Sequence, residues 1–237
     1  MGINNREKLE LFDQAIDQSK IKMKDIKMCE LGNQRMMGSL HIEGIKRRFK
    51  HGKPKTGDGF YLTKDYFVDL KGIASFVSID LNGRDGSLRL DLTKKIDIEK
   101  INGPFNVITN FGTSEHVPKQ YECFKNIHDL CEIGGIVYHV VPRVGNWDGK
   151  GAGLPSPHCP YYYDLDFFQG LADLNDYEMI TIKIWNHDHV LPKRAREECV
   201  CIYKKIKDQE FIDKEKFSKL PLFHINAPSK SGNYTRN

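Results

Sequence analysis

The chain has 237 residues, with 36 Lys and Arg against 32 Asp and Glu, giving a formal net charge of +4. That near-balance lacks the broad basic footprint of a nucleic-acid-binding surface, so nucleic acid is not indicated as a partner. No apolar run reaches membrane-spanning length, and a sheet-and-helix chain of this size is commonly one domain. Residues 1–207 read as an α/β domain with a basic insertion at about 35–62, and residues 208–237 as a C-terminal tail whose apolar cluster Leu220-Pro221-Leu222-Phe223 docks while its terminal stretch does not.

The first twenty residues are polar and helix-like, without the basic start, apolar core and cleavage site of a secretory signal. Apolar positions Leu9, Leu11, Phe12 and Ile16 predict a helix over Arg6–Ser19, packed against a sheet. Residues 25–30 read as the first strand. The segment that follows is rich in Gly, Lys and Arg, including Ile45-Lys46-Arg47-Arg48-Phe49-Lys50-His51-Gly52-Lys53-Pro54-Lys55, and reads as a lid or substrate-facing insertion. A helix over 63–70, which Gly72 can cap, leads to a second strand over 74–80.

The short run 88–91 follows almost at once. Parallel neighbours need a crossover of roughly a dozen residues, whereas 82–86 supply two turns and little else, so a hairpin or stunted edge strand competes with a regular third strand. Residues 105–110 read as a fourth strand, 119–131 as a helix, Gly134-Gly135 as a turn and 136–141 as a strongly apolar strand, which together make a βαβ unit. A Gly/Pro-rich loop then leads to a helix over Leu165–Leu174. Two final strands, 179–185 and 199–204, have a short connection that suits an antiparallel pair.

Polar residues that close buried apolar runs mark the ligand crevice of an open α/β sheet, because ligands bind beyond the carboxyl ends of its strands. Three runs here end that way: Glu30-Leu31-Gly32-Asn33, Asp80, and Asn110-Phe111-Gly112. With the Asn110-Phe111-Gly112-Thr113-Ser114-Glu115-His116-Val117 segment, these residues resemble a class I S-adenosylmethionine-dependent methyltransferase over about residues 25–205. The resemblance implies a Rossmann-like three-layer sandwich with a mostly parallel seven-stranded sheet and an antiparallel last strand.

The first motif of that family is an acidic residue and a glycine-rich turn. Glu30 and Gly32 match it, while Asn33, Gln34, Arg35 and Met36 replace the further glycines. Asn33 tolerates a left-handed backbone, but Gln34 adds bulk where a ligand would approach. By the same resemblance Asp80 would accept from the ribose hydroxyls, Asp91 and Leu92 would meet the adenine, Gly112 would let the backbone pass close to the methionine part, Asn110 and Thr113 would bond its amino and carboxylate ends, and Glu115, among the cofactor-binding residues, would follow with His116 at the active-site rim. Asp91 also reads as an ordinary helix N-cap.

Methyl transfer from a sulfonium needs an aligned acceptor and removal of its proton. His116 is the first candidate base, because an imidazole titrates near working pH, and His158 in the Pro-rich loop is the second. His139 lies inside an apolar strand and reads as a hydrogen-bonded core residue. Trp147 and Tyr161 to Tyr163 read as packing before a pocket wall. Asn186-His187-Asp188-His189 lacks a metal-ligand spacing and reads as a solvated turn, so no metal is expected.

The six cysteines mostly sit in apolar runs with no CxxC pair, as expected of reduced thiols in a cytoplasmic protein. The sequence thus points to a methyltransferase that uses S-adenosyl-L-methionine on oxygen or nitrogen of a small molecule or glycan. The rival readings are a non-catalytic binding or scaffold protein on the same fold, and an NAD- or nucleotide-binding Rossmann enzyme.

Overall fold

The computed structural model describes residues 2–3, 6–36, 61–145, 157–186 and 197–225. Its centre is a six-stranded sheet of β2 (Lys27–Leu31), β5 (Ser75–Ile79), β6 (Phe105–Phe111), β7 (Cys131–Pro142), β9 (Glu178–Asn186) and β10 (Glu197–Lys204). The spatial order is β5-β2-β6-β7-β10-β9. The first four strands are parallel, and β10 runs antiparallel to both β7 and β9.

Both faces of this sheet are covered, which is why its central strands read as almost unbroken apolar runs. Alternation along β2 sends Met28 to one side and Cys29 and Leu31 to the other. On the Met28 side lies α1 (Arg6–Ser19), whose Leu9, Phe12, Ala15 and Ile16 recur at helical spacing and are buried. The π-helical turn Asp65–Leu70 joins it there through Phe67, whose ring centroid is 4.8 Å from that of Phe12. On the other side lie α2 (Gln120–Leu130) and α3 (Leu165–Leu174), packed on Ile108, Val137, Val141 and Cys201.

Three expectations are corrected. Six strands, not seven, form the sheet among the described residues. The run 88–91 contributes a single parallel bridge, Leu88 beside Ile79. Turns closed by Gly83 N–H to Asp80 O and Ser87 N–H to Arg84 O bring the chain straight back, with no room for a full crossover. Second, Gly134-Gly135 is not a turn before a strand, because β7 already starts at Cys131. The pairing steps from Phe105↔Cys131 to Val107↔Ile136, and Gly134 takes φ +83 inside that irregularity.

Third, the C-terminal tail docks from Phe211 onward, well before the cluster at 220–223 that was expected to do so. Phe211, Ile212, Phe217 and Leu220 are buried in the core beside α2 and α3. A short helix, α4 (Lys214–Ser218), is capped by the Asp213 carboxylate on Lys216 N–H at 2.8 Å. Beyond it β11 (Phe223–His224) pairs with β8 (Tyr161–Tyr162). A small accessory sheet joins β1 (Gly2–Ile3), β3 (Arg35–Met36) and β4 (Tyr61–Leu62). No helix among the described residues is long and apolar enough to cross a membrane.

Candidate functional site

The chain leaves β2 for β5 on one side and later returns to β6 on the other, so the strand order reverses between β2 and β6. In open α/β sheets the ligand crevice lies at such a switch point, beyond the carboxyl ends of the strands. Here the tips meet. Gly32 N–H donates to Ile79 O at 2.7 Å, and Asn33 N–H donates to Asp80 Oδ2 at 3.0 Å. Asp80 Oδ1 accepts from Asn82 N–H at 3.0 Å. Gly32 adopts φ +76, and a Cβ there would lie 2.3 Å from Thr113 Oγ1, so only glycine fits between the tips of β2 and β6. Gly112, at φ +82, makes the matching turn after β6.

Glu30 is buried and bonded within this turn. Its carboxylate accepts Gln34 N–H at 3.0 Å and the Thr63 hydroxyl, and burial pushes its pKa up to about 8. It braces the turn from inside, which departs from the cofactor-binding role expected of it. Beyond the turn the backbone runs straight into β3 without starting a helix. The Gln34 side chain closes the gap between strand tips, donating from Nε2 to Leu31 O and Thr113 Oγ1, each at 3.1 Å. Its Oε1 is buried and has no hydrogen-bond partner among the described residues.

Asn110 holds the next turn. Its Nδ2 donates to Ser114 Oγ at 2.8 Å and meets His139 Nδ1 at 3.0 Å, while its Oδ1 accepts from Thr113 N–H and Ser114 N–H. An amide offers two donors and one acceptor oxygen, so Asn110 is engaged within the protein and shapes the turn; it does not reach toward a ligand as expected. His139 is the buried, hydrogen-bonded core residue the sequence suggested, held neutral by burial that pulls its pKa down to about 3. Asp91 accepts from Thr93 N–H and the Thr93 hydroxyl in its own turn. The carbonyl of Leu92 takes a bond from Asn126 Nδ2, and its side chain is buried in the core. These bonds close a local turn, and no helix follows over residues 92–98, so the helix N-cap alternative is not what the structure forms.

The 3₁₀ turn Ser114–His116 presents Glu115 and His116. Polar contacts fix it from behind: Tyr163 Oη donates to Gln120 Oε1 at 2.7 Å and lies 3.0 Å from Ser114 Oγ, and Gln120 Nε2 donates to the carbonyls of Ser114 and Val117 at 2.7 Å each. His158 arrives from another loop, where its N–H donates to Tyr162 Oη at 3.0 Å and Tyr161 Oη donates to Pro118 O at 2.9 Å. The His116 and His158 rings pack edge to face with centroids 5.1 Å apart.

The structure therefore brings together the two histidines that the sequence offered separately. It also corrects the reason for choosing His116. Burial first, and His158 next, pull its pKa down to about 3, so it is a neutral imidazole and not one that titrates near working pH. Its Nε2 is 3.7 Å from Glu115 Oε1, a fully buried carboxyl group that burial pushes up to about 8. A neutral ring of this kind can orient an acceptor proton or donate its lone pair.

Tyr162 and Tyr163 are fully buried packing and anchoring groups. Sequence reasoning missed Thr63 and Gln120 as determinants of the site. Gln34 carried a local signal, since it breaks the glycine pattern. Trp147, residues 187–189 and the basic stretch 46–55 lie outside the described residues.

No protein-family model matches the chain, and no curated protein matches it. Among solved structures it is similar to the MycE methyltransferase from the mycinamycin biosynthetic pathway, in complex with Mg and SAH. The TM-score is 0.45 at 13% identity, covering 86% of this chain and 51% of that one. It is also similar to a SAM-dependent methyltransferase from Methanosarcina mazei, with a TM-score of 0.44 at 11% identity, covering 81% and 98% respectively. A third is coclaurine N-methyltransferase bound to N-methylheliamine and SAH, with a TM-score of 0.45 at 9% identity, covering 83% and 72%. The chain spans about half the length of the first. The architecture is defined by strand order and direction, and not by these distant likenesses.

Proposed function

We propose that the chain is an S-adenosylmethionine-dependent methyltransferase acting on oxygen or nitrogen of a small molecule or glycan. The observation that carries this reading is the meeting of three strand tips at the switch point, with Asp80 bonded to the turn of Gly32 and Asn33, and Gly32 packed on Thr113. An ionised carboxylate in that place suits a pair of ribose hydroxyls. The buried, unpartnered Gln34 Oε1 fits the same cofactor, because an ammonium donor at the methionine end would satisfy it.

When bound, the cofactor supplies an activated methyl group for in-line transfer. Asp80 would position its sugar, Gly32 and Gly112 would admit it close to the backbone, and His116 with His158 would orient the acceptor. Six free, buried cysteines suit the cytoplasmic setting that we infer with this reading. Calorimetric titration with S-adenosylhomocysteine tests it. Saturable binding by the parent chain, weakened in Asp80→Ala, is the expected result, and no binding by the parent chain overturns it.

One observation favours a second reading. The Gln34 amide spans Leu31 and Thr113, and a side chain in that place suits a fold that has given up its cofactor and serves as a binding scaffold. A parent chain that ignores S-adenosylhomocysteine yet retains a stable partner in pull-down would select this reading. A dinucleotide enzyme is disfavoured, because a pyrophosphate rests on a helix N-terminus after the first turn, whereas this turn enters β3.

A further inference from the structure

We propose that Glu115, His116 and His158 form a binding site for one divalent transition-metal ion, with zinc as the reference ion. Each residue offers one ligand atom, and the three atoms lie within 4.8 Å of one another. Two imidazoles and one carboxylate are a donor set that holds Zn²⁺ while leaving a coordination position open, and such nitrogen donors discriminate against the hard ions Mg²⁺ and Ca²⁺. Ligands about 2.0–2.2 Å from a tetrahedral ion stand roughly 3.3 Å apart, so small side-chain rotations close the set.

The second observation is Glu115 itself. It has no exposed surface, and among the described residues neither carboxylate oxygen has a hydrogen-bond partner on another residue. A carboxyl group in that position is costly without compensation, yet the fold holds it there through the Asn110, Ser114, Tyr163 and Gln120 contacts that fix its turn. A cation between Glu115 and the two rings supplies the missing partner. His116 retains a slight exposed edge and His158 is only half-buried, so an ion has a way in and an outer ligand has a place to bind. His158 belongs to a loop far from Glu115 in sequence, which is why no ligand spacing reveals the site.

Ion binding stands on these residues alone. Its use rests on the methyltransferase reading: at the open position the ion would hold an acceptor hydroxyl and make it more acidic, its proton leaving to solvent.

The test uses untagged full-length chain dialysed against chelator, titrated with Zn²⁺ by calorimetry and with Co²⁺ by visible absorption. One ion per chain is expected, with Glu115→Gln and His158→Ala each weakening affinity at least tenfold, and with Zn²⁺ raising the melting temperature of the parent chain but not of the variants. Glu115→Gln preserves shape, so its unfolding curve verifies that it is folded. Absence of saturable uptake by the parent chain, or unchanged affinity in folded Glu115→Gln, overturns the site. Titration of the same samples with S-adenosylhomocysteine separates the two ideas: zinc without cofactor binding sinks only the methyltransferase reading, and the converse sinks only the metal site.

Discussion

The backbone N–H of Asn33 lies 3.0 Å from Asp80 Oδ2, so the turn that follows β2 is fastened to the tip of β5 by a charge-assisted bond. The same carboxylate takes Asn82 N–H on its other oxygen. Asp80 therefore ties the two strand tips together, and on the proposed reading it would also accept from a sugar. Hydrogen bonds to charged groups contribute about 1.5–3 kcal/mol each. Asp80→Ala is expected to weaken S-adenosylhomocysteine by about tenfold to a hundredfold, and Asp80→Asn by less, as read by calorimetry.

Gln34 distinguishes a working crevice from a plugged one. If its Oε1 receives the amino end of the cofactor, Gln34→Ala lowers S-adenosylhomocysteine affinity by about tenfold, the equivalent of roughly 1.4 kcal/mol, and this is the expected result. Tighter binding in the variant would identify the side chain as a plug instead. The measurement is the dissociation constant of the variant beside that of the parent.

Glu30 gives a pH dependence of defined sign. Burial raises its pKa from an ordinary 4.5 to about 8, so the folded chain holds a proton that the unfolded chain releases between those values. Its contribution to stability is full below about pH 4.5, falls as pH rises through about 8, and is constant above that. Urea unfolding across this range should show the parent losing stability with rising pH. Glu30→Gln should remove that part of the slope, and an unchanged slope would refute the assignment.

Asn110 should matter more to stability than to binding. Asn110→Ala removes the partner of two backbone N–H groups, of Ser114 Oγ and of His139 Nδ1. Unsatisfied buried groups cost about 1–3 kcal/mol each, so a loss of about 3 kcal/mol in denaturant unfolding is expected, with relaxation offsetting part of the sum. Tyr163→Phe deletes one hydroxyl and should cost about 1 kcal/mol.

The parts of this fold that sequence made legible are those governed by local rules. The βαβ unit from β6 through α2 to β7 announces itself by its change of period, and Asp80 by its place after Ile79 at the end of an apolar run. The parts that stayed hidden depend on distant pairings. Leu88 bridges Ile79 only once because two turns leave no length for more, and Gly134 bends a strand because Cys131 already pairs with Phe105. Glu30 and Asn110 carry the expected letters, yet the bonds they make with Thr63, Gln34, Ser114 and His139 turn them inward. The meeting of His116 with His158 depends on tyrosine anchors that belong to no local pattern.

The pairing of β11 with β8 ties the far end of the chain to the loop that carries His158. Tyr161 and His224 pack in a tilted arrangement with ring centroids 4.8 Å apart, and Ile225 N–H donates to Pro160 O at 2.8 Å. A chain cut back to residue 207 would lose this buckle along with Phe211, Ile212, Phe217 and Leu220. Proteolytic clipping near residue 210 should therefore release the loop that carries His158, so residues 211–225 act as a clasp on it and not as trailing ballast.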